Sequence, residues 1–121
     1  EVLGAMRCTA LGLLDLLADF RPWLTGSVLD GTAGQHSRID ILLFADSAKE
    51  VEIFLLNRGL SFQHAEVRNE RVEAVLVLET DTADANLIIM PPALERVAFK
   101  HRDGRPRERI RSAALRALID D

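Results

Sequence analysis

Leu24-Thr25-Gly26-Ser27-Val28-Leu29-Asp30-Gly31-Thr32-Ala33-Gly34-Gln35-His36-Ser37-Arg38-Ile39-Asp40-Ile41-Leu42-Leu43-Phe44 is the stretch on which the fold turns. It passes from an apolar segment through a Gly-Ser turn and a small-residue loop into a second apolar segment that carries one carboxylate. A turn without side-chain bulk lets backbone N–H groups approach an anion, and a helix starting there adds its positive end. The same dipeptide also serves as a plain tight connection, so on its own it leaves ligand binding open. Downstream, Arg38, Asp40 and Leu42 alternate along an expected strand and project from one face, which makes Arg38 and Asp40 neighbours.

Outward from this stretch, residues 2 to 19 place Leu3, Met6, Ala10, Leu13, Leu14 and Leu17 at the spacing of an amphipathic helix, which Pro22 stops. Cys8 falls on that segment as an expected packing residue; as the only cysteine it excludes an intrachain disulfide. Trp23 to Leu29 reads as a short strand entering the turn, with Ser27 as an alternative helix start. Ser37 to Phe44 is a strand whose continuous apolar run predicts cover on both faces. Ser47 to Glu50 has the pattern of a capping box, and the helix that follows ends where Gly59 takes the left-handed position. Leu60 to His64 is expected as an edge strand, Arg68 to Arg71 as a polar turn, and Val72 to Leu78 with Ala85 to Met90 as a hairpin closed by Pro91-Pro92. Beyond it, a strand around Val97 to Phe99, an Asp103-Gly104 turn and a helix from Pro106 to Leu118 complete the chain. In that helix Ile110, Ala114, Leu115 and Leu118 are expected to pack, while Arg107, Glu108, Arg109 and Arg111 face solvent.

The quoted stretch resembles the nucleotidyltransferases of the DNA polymerase beta superfamily, particularly the minimal members. Gly26-Ser27, Gly31-Thr32-Ala33 and Ser37-Arg38-Ile39-Asp40-Ile41 match the family's loop and strand without a gap. Over residues 45 to 90 the likeness extends to the order of elements. The resemblance implies an α+β fold, a mixed sheet of about four to five strands with helices packed mainly on one side, in a single domain spanning residues 1 to 121. It also implies a nucleotide or phosphate ligand at Gly26, Ser27 and Ser37, to which the guanidinium of Arg38 is added as a candidate contact by its own chemistry. In the family an Asp-x-Asp pair and a third acid hold two divalent cations, usually Mg2+, that orient a nucleoside triphosphate.

In this chain Arg38 stands at the first acid position and Asp40 at the second. Asn86 stands where the third acid is expected, with Asp84 as the alternative. If the protein is active, Asp40 is its catalytic carboxylate, and Asp40, Asp84 and Asn86 are its metal ligands. A guanidinium beside Asp40 competes for its oxygens and repels a cation, so a retired site and a site where Arg38 replaces one cation as a phosphate-binding charge are both open. Three expectations follow: a degenerate, non-catalytic or weakly active nucleotidyltransferase; an active transferase modifying a protein or small molecule; or an interaction scaffold.

Composition narrows the choice. The 121 residues are 48% hydrophobic and 28% charged, enough for one core. No apolar run reaches membrane-spanning length and no segment has signal-peptide character, so a cytoplasmic protein is expected. Residues 95 to 116 hold eight of the fifteen basic residues against three acids, a local charge of +5 in a chain of −4. Such a segment suits a nucleic acid or an acidic surface, within the chain or on a partner. The acidity of the whole and the lack of Tyr weigh against a nucleic-acid binder. His36, His64 and His101 have no metal spacing, and a zinc site is not expected; His36 lies where it could face a phosphate. The long apolar helix leaves a homo-oligomer open.

Overall fold

The computed structural model describes residues 1 to 121. Helix α1 (Val2–Leu16) leads through a short 3-10 turn (Ala18–Phe20) to strand β1 (Trp23–Thr25) and helix α2 (Gly26–Asp30). Strand β2 (Ile39–Phe44), helix α3 (Ala48–Asn57), and strands β3 (Gln63–Ala65), β4 (Ala74–Leu78) and β5 (Ala85–Met90) follow. A 3-10 segment (Pro92–Arg96), strand β6 (Arg109–Ile110) and helix α4 (Ser112–Asp120) complete the α+β fold.

The strands form one mixed sheet in the order β3-β4-β5-β2-β1-β6. Only β2 and β5 are parallel, with Asp40 opposite Asn86 and Phe44 opposite Met90; every other pairing is antiparallel. The six strands exceed the expected four to five because β6 adds a two-residue edge beside β1, pairing Leu24 with Ile110 and Thr25 with Arg109.

Period-two alternation divides the sheet into unlike faces. Ile39, Ile41 and Leu43 of β2, Leu87 and Ile89 of β5 and Leu76 of β4 are fully buried. They join Met6, Ala10 and Leu14 of α1, Val28 of α2, Val51 and Leu55 of α3 and Leu115 of α4 in one core. All four helices therefore pack on this face. The other face is half-exposed at Asp40, Leu42, Asn86 and Ile88, and buried only at Phe44 and Met90, where the Pro92–Arg96 segment follows the sheet. The apolar run of β2 thus has full cover on one face, rather than the expected two.

Several boundaries shift. Strand β1 stops at Thr25 because Gly26 turns the chain at φ 78°, and β2 begins at Ile39, not Ser37. Ser47 is the N-cap of α3, but its side chain makes no cap hydrogen bond, so the capping box is not formed. Gly59 takes the left-handed position after α3 as expected, at φ 71°. No strand forms over Val97 to Phe99; a bridge between Lys100 and Pro106 closes a hairpin around Gly104 instead. The last helix starts at Ser112 because Arg109 and Ile110 are taken into the sheet edge. Within it Leu115 is buried and Ala114 is exposed, correcting the expectation for Ala114. Cys8 is also exposed, on the outer side of α1.

Candidate functional site

The antiparallel β1–β2 pairing sets Thr25 opposite Asp40. The Asp40 carboxylate consequently lies against the next residue, Gly26. A Cβ at Gly26 would meet Asp40 Oδ2 at 2.6 Å, too close for any side chain, and the positive φ is a second demand for glycine. Helix α2 is then held from behind. Arg7 of α1 donates through Nε to Val28 O and through Nη2 to Leu29 O, both at 2.9 Å, satisfying carbonyls near the helix end.

On the other side of Asp40 stands Asn86. Its Nδ2 donates to Asp40 Oδ1 at 2.9 Å, and its Oδ1 accepts from Arg38 Nη1 at 3.1 Å. The amide therefore bridges the guanidinium and the carboxylate, which make no direct ion pair. Burial pushes the Asp40 carboxyl above its ordinary range, against the Asn86 hydrogen bond and the positive charge of Arg38.

Of the expected phosphate contacts, Gly26 lies beside Asp40, whereas Ser37 is turned to its own loop, its Oγ accepting from Gly34 N at 2.9 Å. Ser27 is half-buried in α2, and its carbonyl closes the turn that follows by accepting from Gly31 N and Ala33 N. Asp84 lies just before β5, where its carbonyl accepts from Ile39 N. His36 is exposed in the loop before β2.

The donor set does not fit a two-cation centre. Asp40 Oδ1 and the Asn86 amide oxygen are already engaged, a guanidinium stands beside them, and no three His, Cys, Asp or Glu side chains converge anywhere in the chain.

The Gly26–Asp40 corner opens into a cleft of about 800 Å³ on the half-exposed face of the sheet. Its floor includes Leu42, Ile88 and Met90. Its walls carry Arg71, Arg96, Lys100, Arg107 and Arg109, against the acids Asp40 and Glu108. None of these five basic residues joins an ion pair, whereas Arg21, Arg105, Arg111 and Arg116 all do. Arg71 stands over the Phe99 ring at 5.6 Å. Arg109 stacks 4.3 Å from the Trp23 ring and donates through Nη2 to Glu95 O, while its Nη1 is buried without a partner. Desolvation lowers the pKa of its guanidinium. Arg109 and Arg111 were expected on a solvated helical face; both stack on Trp23 instead, outside any helix.

Beside the cleft, Glu95 fastens its wall. It accepts from Arg21 Nη1 at 2.8 Å and Trp23 Nε1 at 2.9 Å, with Arg111 Nη1 at 3.6 Å. Burial opposes ionisation of Glu95, but these donors and the two positive charges outweigh it and hold the carboxyl below its ordinary range.

No protein-family model matches this chain, and no curated protein matches it significantly. The sequence singles out Gly26, Asp40, Arg38 and Asn86, which the structure brings together, but it does not point to Arg71, Arg96 and Lys100 as one wall. The available signal was the basic run from residue 95 onward; the loop that brings Arg71 to it carried none.

Proposed function

We propose that this chain is a nucleotidyltransferase-like protein of the minimal type that has lost metal-dependent transfer and binds a phosphate-bearing ligand, a nucleotide, in the cleft bordered by the Gly26-Ser27 turn. The observation that carries this is the convergence of five unpaired basic side chains on a cleft whose metal corner holds one carboxylate. The framework supports the family assignment: a Gly-Ser turn between β1 and α2, Asp40 on the adjoining strand, and Asn86 facing Asp40 from the parallel strand β5. Arginine forks bind phosphate oxygens bidentately, so fixed guanidinium charges take over the neutralising part that divalent cations play in active relatives.

Other charges of the basic segment are turned to carboxylates within the chain, Arg111 to Glu95 and Arg116 to Asp15, which counts against an extended nucleic-acid surface. No helix is long and apolar enough to cross a membrane, and the lone thiol of Cys8 suits the reducing cytoplasm.

Isothermal titration with ATP and GTP, with and without magnesium, tests the binding. Heat is expected without magnesium and no tighter binding with it; no heat under any condition overturns the proposal. A transfer assay with labelled nucleoside triphosphates and magnesium or manganese is expected to show no incorporation. Incorporation abolished by Asp40→Ala would restore the active-transferase alternative, with Asp40 as its catalytic carboxylate.

A further inference from the structure

The cleft is electrically lopsided along the strands. At one end the Asp40 carboxylate lies directly against Gly26, and Thr25 Oγ1 donates to the carbonyl of Glu108, which lines the same end. Four residues further along β2, about 13 Å at the usual strand rise, lie Phe44 and its partner Met90. The Arg71 loop reaches this far end because Glu73 N donates to Ile89 O. Arg96 reaches it because the Pro92–Arg96 segment leaves the sheet just after Met90. The orphaned Nη1 of Arg109 belongs to a guanidinium held near Phe44, 5.7 Å from its ring.

The Gly26-Ser27 corner is a poor seat for phosphate. Asp40 already puts a carboxylate there with Glu108 nearby, so the charges of Arg107 and Arg38 at this corner are already balanced, and no donor set fits a cation. Helix α2 has only five residues, so its positive end is weak. Neither Ser27 nor Arg38 lines the cleft.

We propose that the cleft is polarised: it takes the phosphate groups of its ligand at the Arg71–Arg96 end, with Arg109 beneath, and a hydroxyl or amino donor of the same ligand at Asp40. For the identity of the ligand this rests on the nucleotide proposal above; the placement of charge does not. The phosphates lie away from the glycine turn, and the Asp40 carboxylate accepts a hydrogen bond in place of holding a metal.

The single tryptophan, Trp23, lies under Arg109 and gives a built-in probe of the far end. Its fluorescence is titrated with inorganic pyrophosphate and with ATP, in the wild type and in Arg71→Gln/Arg96→Gln, Ser27→Ala and Asp40→Asn. Thermal melts of each variant confirm folding. Both ligands are expected to perturb Trp23. The double variant should weaken both at least tenfold, Ser27→Ala should change neither by more than twofold, and Asp40→Asn should weaken ATP while leaving pyrophosphate as tight or tighter. Binding that survives the double variant but is lost in Ser27→Ala overturns the polarity and leaves the nucleotide proposal standing. Pyrophosphate binding through Arg71 and Arg96 without any ATP binding does the reverse. If neither ligand binds the wild type, both fall.

Discussion

Two carboxylates, Asp40 in the cleft and Glu95 beside it, are treated in opposite ways. Glu95 is surrounded by donors: an indole N–H, a hydrogen-bonded guanidinium and a second guanidinium nearby. Asp40 has one amide on one oxygen and a glycine against the other, with Arg38 held off by Asn86. The physical cost of burial is common to both, but at Glu95 it is more than offset and at Asp40 it is not. A carboxylate whose needs are met inside the chain acts as a fastener. One left short of donors has capacity for something that arrives from outside.

Removing the fastener has the largest expected effect. Glu95→Ala strips partners from Arg21, Arg111 and the Trp23 indole and removes the negative charge that favours the desolvated Arg109 guanidinium, at a cost of about 3 kcal/mol in urea melts. A loss below about 1 kcal/mol would show that the two carboxylates do not differ in role.

Next comes Gly26→Ala. The positive φ and the 2.6 Å approach to Asp40 predict a loss of about 1–3 kcal/mol. The loss should be smaller in an Asp40→Ala background, where the 2.6 Å clash is gone while the 3.3 Å approach to Cβ of residue 40 and the backbone strain stay. Equal costs in the two backgrounds would show that Asp40 does not press on the turn.

Acid titration separates the carboxylates by sign. The folded-state pKa of Glu95 is lowered, so its stabilisation is complete above the ordinary glutamate range and fades as pH falls through the lowered value. The folded-state pKa of Asp40 is raised, so its penalty is present at neutral pH and is relieved as pH falls through the raised value toward the ordinary aspartate range. The stability gap between wild type and Glu95→Gln should therefore persist to lower pH than the gap between wild type and Asp40→Asn. Asp40→Asn itself is the smallest effect, a modest gain at neutral pH. A destabilised Asp40→Asn would contradict the direction of the shift.

What could be read from the sequence follows the range of the forces involved. Helix α3 ending at Gly59, the hairpin of β4 with β5 and the turn at Gly104 are local matters of periodicity and backbone freedom, and all were legible. Asn86 was assigned to the place of a missing acid, and the parallel register does set it opposite Asp40. Its role between Arg38 and Asp40 was not legible, since it depends on which amide atom faces which neighbour across 46 to 48 residues. The stretch from Arg107 to Arg111 was misassigned because helical spacing of its charges says nothing about an open sheet edge at Thr25 that claims Arg109 and Ile110 first. Arg71 lies on the loop before β4 and Arg96 at the end of the Pro92–Arg96 segment, and only the closure of the whole sheet brings them to one wall.

The placement of β1 also sets an order of events during synthesis. Leu24 bonds to Ile41 on one side and to Ile110 on the other. As the chain leaves the ribosome, the part of the core built from α1 to β5 can condense once β5 has emerged, but Leu115 is still missing and the edge of β1 stays bare until the last strand arrives. In that interval Trp23 lacks the stacked guanidinium groups of Arg109 and Arg111. A nascent protein halted before β6 would lack Leu115 of the core and Arg109 of the cleft.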